Sequence, residues 1–289
     1  MRIRVSMLLV MALLVVATAF AQQMPQMQPV VYVADFNIKP GKFDDFMNLV
    51  KKYDEPTFDK LMSEGAVLAW GLDEAVLHEP GAPTHSFWWT SPDMGAFDKV
   101  FAAFEAEEKK MKEDDMAAAA EARKKGRPAP KSVNDIFMES VDWSKHKDWI
   151  FRDLAVRFGG GPPPAGARPY SWITVVRVEP GKSDEFRQLW DKYIKPVLDK
   201  LVDDNTIHGY EMGVEEVKTT DSFTHFVIIT LPNLAAREKV RNAFYADRQA
   251  RTPEEREVIN HRFTKVLDYS ATRNMVLHSV ILHVAAPKM

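Results

Sequence analysis

The 289-residue sequence contains no cysteine, which excludes a disulfide framework, a lipid-modified cysteine anchor and a cysteine nucleophile. It has no excess of positive charge either, because 38 Lys and Arg residues stand against 41 Asp and Glu residues. A mildly acidic, mixed surface argues against nucleic-acid binding, which normally requires a basic face. Phosphate loops, dinucleotide fingerprints and GxSxG motifs are also missing, so the sequence gives no sign of nucleotide-dependent or serine-hydrolase chemistry.

The first 21 residues have the pattern of a secretory signal peptide. Two arginines precede an apolar core from Met7 to Ala17, and Ala19-Phe20-Ala21 provides the small residues that signal peptidase accepts. The apolar core is shorter than the roughly 20 residues that a membrane-spanning helix needs. We therefore expect cleavage before Gln22 and a periplasmic or secreted protein with no membrane anchor after cleavage.

The rest of the chain is a tandem repeat. Ile38–Leu61 returns as Val178–Leu201, and in both copies a Pro-Gly-Lys turn separates an alternating apolar run from apolar residues at helical spacing. A stretch rich in glycine and proline divides the copies and is typical of a linker. The predicted domains are a first repeat at 22–158, a linker at 159–168 and a second repeat at 169–289.

Each copy is predicted to have the element order βαββαβ. This order is the ferredoxin-like plait, in which two helices cover one face of a four-stranded antiparallel sheet. The uncovered face must be buried, and pairing the two faces predicts an α+β pseudo-dimeric barrel formed by one chain. Pro56 and Pro196 occupy the same place in the first helix of each copy and predict a kink or break there. The charged stretch 105–125 is either a solvent-facing helix extension or a partner-binding arm.

The repeat resembles the dimeric α+β barrel superfamily in its element order, in its duplication and in the helix-entry pattern PGKxDEF at Pro180–Phe186. This superfamily includes antibiotic-biosynthesis monooxygenase-like, EthD-like, NIPSNAP-like and chlorite-dismutase-like families. The resemblance implies a ligand site between sheet and helices or in the barrel lumen. The chemistry it implies is mixed, since the superfamily includes cofactor-free oxygenases, haem enzymes and isomerases.

His85 and His225 are the candidate catalytic residues. They are identical by repeat register, each follows a threonine, and each lies on an otherwise apolar strand. A histidine there could act as a base or as a metal or haem ligand. Alternatively, both are strand-end residues that hydrogen-bond to a neighbouring loop and persist from the duplication. No HxxxH or HxH pair supports a metal site, so none is predicted.

Trp70, His208 and Tyr210 are the candidate substrate-binding residues, because they place polar or aromatic groups on the second strand of each copy. The alternative is that these three residues have no ligand and only pack within an amphipathic strand. Asp35, on the first strand, either makes the lumen polar or faces solvent. His278 and His283 have opposite parity on the last strand, which predicts that they cannot point into one cavity.

These observations predict an exported protein that binds a small apolar or aromatic molecule, and that is a monooxygenase-like enzyme if it is catalytic. No cofactor is required by the sequence, and haem is possible because one histidine can suffice as its axial ligand. A non-catalytic structural or partner-binding protein is the alternative. The chain is expected to be a monomer that acts as a pseudo-dimer, with further oligomerisation left open.

Overall fold

A computed structural model of the protein describes residues 28–78, 82–159, 166–217 and 223–285. The predicted signal peptide and most of the predicted linker lie outside these residues. Within the described part, no helix is long and apolar enough to cross a bilayer.

The first repeat alternates strands and helices in the predicted order, with one short extra helix before its last strand. Its elements are β1 Val30–Ile38, α1 Phe43–Leu49, a π-helical segment Val50–Asp54, α2 Glu55–Ser63, β2 Ala69–Ala75, β3 His85–Ser91, α3 Gly95–Lys124, α4 Val133–Ser140 and β4 Val141–Phe158.

The second repeat has the same order of elements. They are β5 Tyr170–Val178, α5 Ser183–Leu189, a π-helical segment Trp190–Ile194, α6 Lys195–Asp203, β6 Gly209–Val217, β7 His225–Leu231, α7 Ala235–Gln249, α8 Pro253–Val266 and β8 Leu267–Val284.

The eight strands close into one barrel in the order β1-β3-β2-β8-β5-β7-β6-β4. Each repeat supplies four neighbouring antiparallel strands. The two repeats join where β2 pairs with β8 and where β4 pairs with β6. The predicted α+β pseudo-dimeric barrel of two ferredoxin-like repeats is therefore confirmed.

Strand residues alternate between an outer face under the helices and an inner face toward the lumen. On β1, Phe36 packs in the outer core with Phe46 and Phe58 of the covering helices. Val31 instead belongs to a cluster that includes Phe226 of the second repeat. Because that cluster combines side chains of both repeats, it marks the interior of the barrel.

The irregularity predicted at Pro56 and Pro196 takes the form of a π-helical segment. In each repeat this segment ends two residues before the proline, which then occupies the first turn of the next α-helix. Because the residues at the junction keep helical backbone angles, the proline lies inside a continuous helix path, where it has no N–H to donate. The longer π-turns thus let the helix path continue across the proline without a break.

The last strands of the repeats have 18 residues each, whereas the apolar patterns predict strands only over Trp149–Arg157 and Met275–Val284. The first half of β4 pairs with β1, and its second half crosses to β6 of the other repeat. Both junctions contain a β-bulge, at Leu154 in β4 and at Val280 in β8. These bulges shift the alternation of inward and outward side chains beyond them.

Candidate functional site

Two clefts lie where the last strand of one repeat crosses the first helix of the other. The Tyr210 cleft, between β4 and the helices α5 and α6, has a volume of about 520 Å³. The Lys51 cleft, between β8 and α1 with its π segment, has a volume of about 440 Å³. Both lie within the range of about 300–1,000 Å³ that small-molecule sites occupy. The repeat relates the two clefts, since Lys51 aligns with Asp191 of the Tyr210 cleft.

Tyr210 belongs to a charged network on the floor of its cleft. It is 1% exposed and donates its hydroxyl proton to Asp199 at 2.6 Å. Lys195 and Arg157 also contact Asp199, at 2.6 and 2.9 Å. Burial raises the pKa of Asp199, but the hydrogen bonds from Lys195, Tyr210 and Arg157 hold it below its ordinary value.

The same network fixes what Tyr210 can offer a ligand. Burial, and then the hydrogen bond to Asp199, raise the pKa of Tyr210, so the phenol stays protonated. Because its proton is directed at Asp199, only the lone pairs of its oxygen are free to accept a hydrogen bond.

The walls of the Tyr210 cleft differ in character. Pro29, Leu154 and Val156 form an apolar wall along the β4 side. Arg187 on α5 lines the opposite side, is exposed, and makes no ion pair with another described residue. The cleft therefore combines an apolar wall with the exposed cation of Arg187, and two acids, Asp153 and Asp191, also line it.

His85 and His225 begin β3 and β7 at matching positions and face the helices. The ring of His85 lies 5.8 Å from that of Phe43, and the ring of His225 lies 5.2 Å from that of Phe186. His225 is 2% exposed. Burial lowers the pKa of both imidazoles to about 4, so both are neutral at physiological pH.

The threonine before each histidine contacts its ring. In the first repeat, Thr84 accepts the backbone N–H of Ile38 and lies 2.9 Å from Nδ1 of His85. The Thr84 hydroxyl keeps a proton to donate and a second lone pair to accept with, so the contact fits either tautomer of the neutral imidazole. Thr224 makes the same two contacts in the second repeat. Neither histidine lines one of the two clefts, and their catalytic role stays a prediction.

The predicted binding residues lie in different places. Trp70 is fully buried in the outer core of the first repeat, where its ring stacks on Phe58 at 5.0 Å and on His283 at 4.8 Å. His208 precedes β6, is partly exposed, and has a pKa lowered by burial. Of the predicted residues only Tyr210 lines a cleft, so the structure does not bring the five together.

The lumen contains a row of polar side chains that the sequence only partly indicated. Asp35, Ser86, Asp73 and Ser279 lie directly opposite one another on the four adjacent strands β1, β3, β2 and β8. Asp35 accepts hydrogen bonds from Ser86 at 2.5 Å and from Trp149 at 2.9 Å. Burial raises its pKa.

The equivalent row of the second repeat ends in a buried aspartate whose carboxyl group is incompletely hydrogen-bonded. It consists of Val175, Phe226, Gly213 and Asp153, again in direct register. Asp153 is 4% exposed, and its Oδ1 has no hydrogen-bond partner. Burial, and then the nearby Glu211 on β6, raise the pKa of Asp153, while burial raises that of Glu211. The two carboxyl groups therefore form a desolvated pair.

Sequence reasoning missed Asp73, Asp153 and Glu211 because it searched for identity between the repeats. Their partners by repeat register are Gly213, Ser279 and Gly71. A usable signal was present, since each is an acid on a strand and has an uncharged partner in the other copy.

The residues present do not provide an evident haem or metal site. No histidine lines either cleft, so the clefts supply no imidazole as an axial ligand. Within the described ranges, no three His, Asp or Glu side chains are grouped to hold a metal ion.

No protein-family model and no curated protein matches the chain. Among solved structures, a "putative monooxygenase" from Lactobacillus acidophilus aligns with 90% of this chain and 97% of its own, with a TM-score of 0.54 at 12% identity. A second "putative monooxygenase", from Fusobacterium nucleatum, aligns with 91% of this chain and 97% of its own, with a TM-score of 0.55 at 11% identity. At such identities the likeness concerns the fold. The chain therefore has the fold of these structures, an α+β barrel that is built here from two repeats of one chain.

Proposed function

We propose that this protein binds a small, largely apolar or aromatic molecule with an anionic group in the Tyr210 cleft. The main support for the proposal is the cleft itself, which has a volume of about 520 Å³ between the two repeats. Its apolar wall at Leu154 and Val156 would contact the body of the ligand. Arg187 would pair with the anionic group, and Tyr210 would accept a hydrogen bond.

Monooxygenase-like oxidation of the bound molecule is the finer part of this proposal. Its support is the shared fold with two structures that are described as putative monooxygenases. In this chain, Arg157 and Lys195 would add positive charge next to the network of Tyr210 and Asp199, where an anionic form of the ligand would be stabilised.

Anilinonaphthalene sulfonate, an aromatic anion that fluoresces in apolar surroundings, tests the cleft directly. Arg187→Glu should weaken its binding at least five-fold, because the substitution reverses the charge that pairs with the sulfonate. Lys200→Glu, on the exposed side of α6, is the matched control and should leave the affinity unchanged. Equal affinities in the wild type and in Arg187→Glu would refute the proposed cleft.

Native mass spectrometry and a visible absorption spectrum of the mature protein, purified from its own export route, would identify a natural ligand. Oxygen uptake in the presence of that ligand tests the oxygenase chemistry. A Soret band would instead favour the haem-binding alternative, and a protein without ligand or uptake would favour a structural role. Export is part of the proposal and is tested by sequencing the mature N-terminus, which should be Gln22.

A further inference from the structure

The long helix α3 is attached to the rest of the first repeat by apolar side chains only along its first half. Within this helix the apolar core ends at Phe104, whose ring meets that of Phe58 on α2 edge-on at 5.6 Å. The last buried residue is Glu107, although the helix continues to Lys124. Polar contacts must therefore hold the second half of α3, and such a segment opens more easily than a packed one.

Asp54 and Glu107 meet one helical turn beyond that ring contact. Asp54 lies four residues before Phe58, and Glu107 lies three residues after Phe104, so each acid shares a helix face with its aromatic residue. The two carboxyl groups contact each other there, and the side chain of Thr57 lies beside Glu107. Glu107 is 8% exposed, and its Oε2 has no hydrogen-bond partner. We call this pair of residues the acid clasp.

No described cation neutralises the acid clasp. By helix spacing the nearest lysines are Lys51, three residues before Asp54, and Lys110, three residues after Glu107. Lys51 is exposed and lines its own cleft, whereas Lys110 pairs with Asp114 at 3.0 Å. Burial, and then the neighbouring carboxyl, raise the pKa of Asp54, and burial raises that of Glu107. Two carboxyl groups in contact away from water therefore retain a shared proton.

The other polar contacts of this half of α3 keep their charge when the acid clasp titrates. Tyr53 donates its hydroxyl proton to Asp114 at 3.0 Å, and Lys52 and Lys110 pair with the same carboxylate. Hydrogen bonds, the largest from Lys110, lower the pKa of Asp114 to about 2. Asp115 accepts the first backbone N–H of α4 at 2.9 Å. Because partly exposed ion pairs contribute little to stability, the acid clasp decides how firmly this half is held.

The second repeat lacks this arrangement. Asp54 aligns with Ile194, and Glu107 aligns with Asp247, which pairs with Arg251 at 2.9 Å. The equivalent helix α7 has 15 residues, against 30 in α3. The acid clasp thus accompanies the longer helix, and α7 provides an internal comparison within the same chain.

We propose that the acid clasp is a pH-sensitive latch that holds the second half of α3, residues 105–124, against the first helix of the same repeat. With a shared proton the two carboxyl groups attract each other. When that proton is lost as the pH rises, both groups ionise and repel each other, and this half of α3 opens. Opening exposes Tyr53, which is otherwise 2% exposed, on the π-helical segment next to Lys51. The pH would thus control access to the surface beside the Lys51 cleft.

Hydrogen–deuterium exchange of the full mature chain tests the latch, with mass spectrometry at about pH 6 and about pH 9 and correction for the intrinsic exchange rate. Protection of residues 105–124 should fall roughly ten-fold or more between the two pH values, and that of α7 much less. Glu107→Gln should keep the protection at both pH values, because its amide does not repel Asp54 and can donate a hydrogen bond to it. Glu105→Gln, at an exposed position of the same helix, is the matched control and should show the wild-type fall.

An equal loss of protection in α3 and α7 would overturn the proposal, since it would report destabilisation of the whole barrel. Equal protection of residues 105–124 at both pH values in the wild type would overturn it as well. A third contrary result is a fall in Glu107→Gln as large as in the wild type. Asp54→Asn should behave like Glu107→Gln and provides the same test if that variant does not fold, which circular dichroism would show.

Discussion

Trp88 on β3 donates its indole N–H to Asp73 on the neighbouring strand β2 at 2.9 Å. The contact is possible because Gly71 has no side chain, since a Cβ there would lie 2.8 Å from the Trp88 ring. Burial raises the pKa of Asp73 to about 6, although the hydrogen bonds from Ser279 and Trp88 act in the opposite direction. Trp88 therefore stabilises the charged form of a buried acid.

Replacing Trp88 by phenylalanine should destabilise the protein more at high pH than at low pH. Removing a donor from a buried carboxylate costs about 1–3 kcal/mol, and this cost applies only when Asp73 is ionised. We expect the loss in unfolding free energy, measured by urea denaturation, to be larger at about pH 8 than at about pH 5. Trp143→Phe, at an exposed position, serves as the control. Equal losses at both pH values would contradict the assigned role of Trp88.

The unfolding free energy of the protein should fall as the pH rises above about 6.5. Asp153 and Glu211 have raised pKa values, so their contribution is fully present below the ordinary carboxyl pKa and is lost as the pH passes through the raised values. The double variant Asp153→Asn with Glu211→Gln should flatten this decline. Urea denaturation from about pH 6.5 to pH 9 checks the slope, and Glu216→Gln should leave it unchanged.

The two strand-end histidines, His85 and His225, should change the unfolding free energy in the opposite direction, at lower pH. Burial lowers the pKa of His85 and His225 to about 4, whereas unfolded histidine titrates near 6.5. At these two histidines the unfolded state therefore binds more protons in this interval, so their contribution to stability rises with pH from about 4 to 6.5 and opposes the fall that the buried acids cause. His85→Gln with His225→Gln should reduce that rise, with His261→Gln on exposed α8 as the control.

The same double variant tests the predicted catalytic role of these histidines. Unchanged ligand affinity and turnover, in a variant with an altered pH dependence of stability, would show that the histidines are structural. A loss of turnover without any change in stability would instead support the catalytic role.

Gly213→Ala should destabilise the barrel, because the new Cβ would lie 2.4 Å from the Phe226 ring and 2.8 Å from a backbone oxygen of Arg152. Overpacking of this kind typically costs about 1–3 kcal/mol. Adding Phe226→Leu should recover part of the loss by making space. Gly95→Ala is the control, since its Cβ would meet only a flexible carboxylate at 3.2 Å. Thermal unfolding that shows no difference between Gly213→Ala and wild type would contradict this packing.

Much of the fold could be predicted from the repeat. The sequence patterns predict strands at Val30–Ile38 and Tyr170–Val178, and β1 and β5 have these bounds, because a Pro-Gly turn follows each strand. The first halves of β4 and β8 could not be predicted. They are polar and exposed, and they are held as strands by pairing with β1 and β5 rather than by an apolar pattern.

His278 and His283 contact different cores and do not share a cavity, as predicted, but the opposite faces assigned to them on β8 were wrong for a related reason. His278 stacks on Tyr170 at 4.4 Å and His283 on Trp70 at 4.8 Å, and both partners pack in the outer cores under the helices. The bulge at Val280 adds a residue between them and brings both histidines to the same face. Alternation alone cannot reveal such a shift, since it depends on how the partner strand pairs.

The closure of the barrel by β2 with β8 and by β4 with β6 has a consequence for how such a protein can change. In a homodimer every substitution is made twice, so an acid introduced into the interior appears at two symmetry-related positions. In a single chain the two rows of inward-facing residues, one in each repeat, can be substituted independently. The row of Asp35 and Asp73 could acquire two carboxyls while the matching positions Val175 and Gly213 remained uncharged. Covalent fusion thus halves the number of like charges that one mutation introduces, and makes an asymmetric interior accessible by single steps.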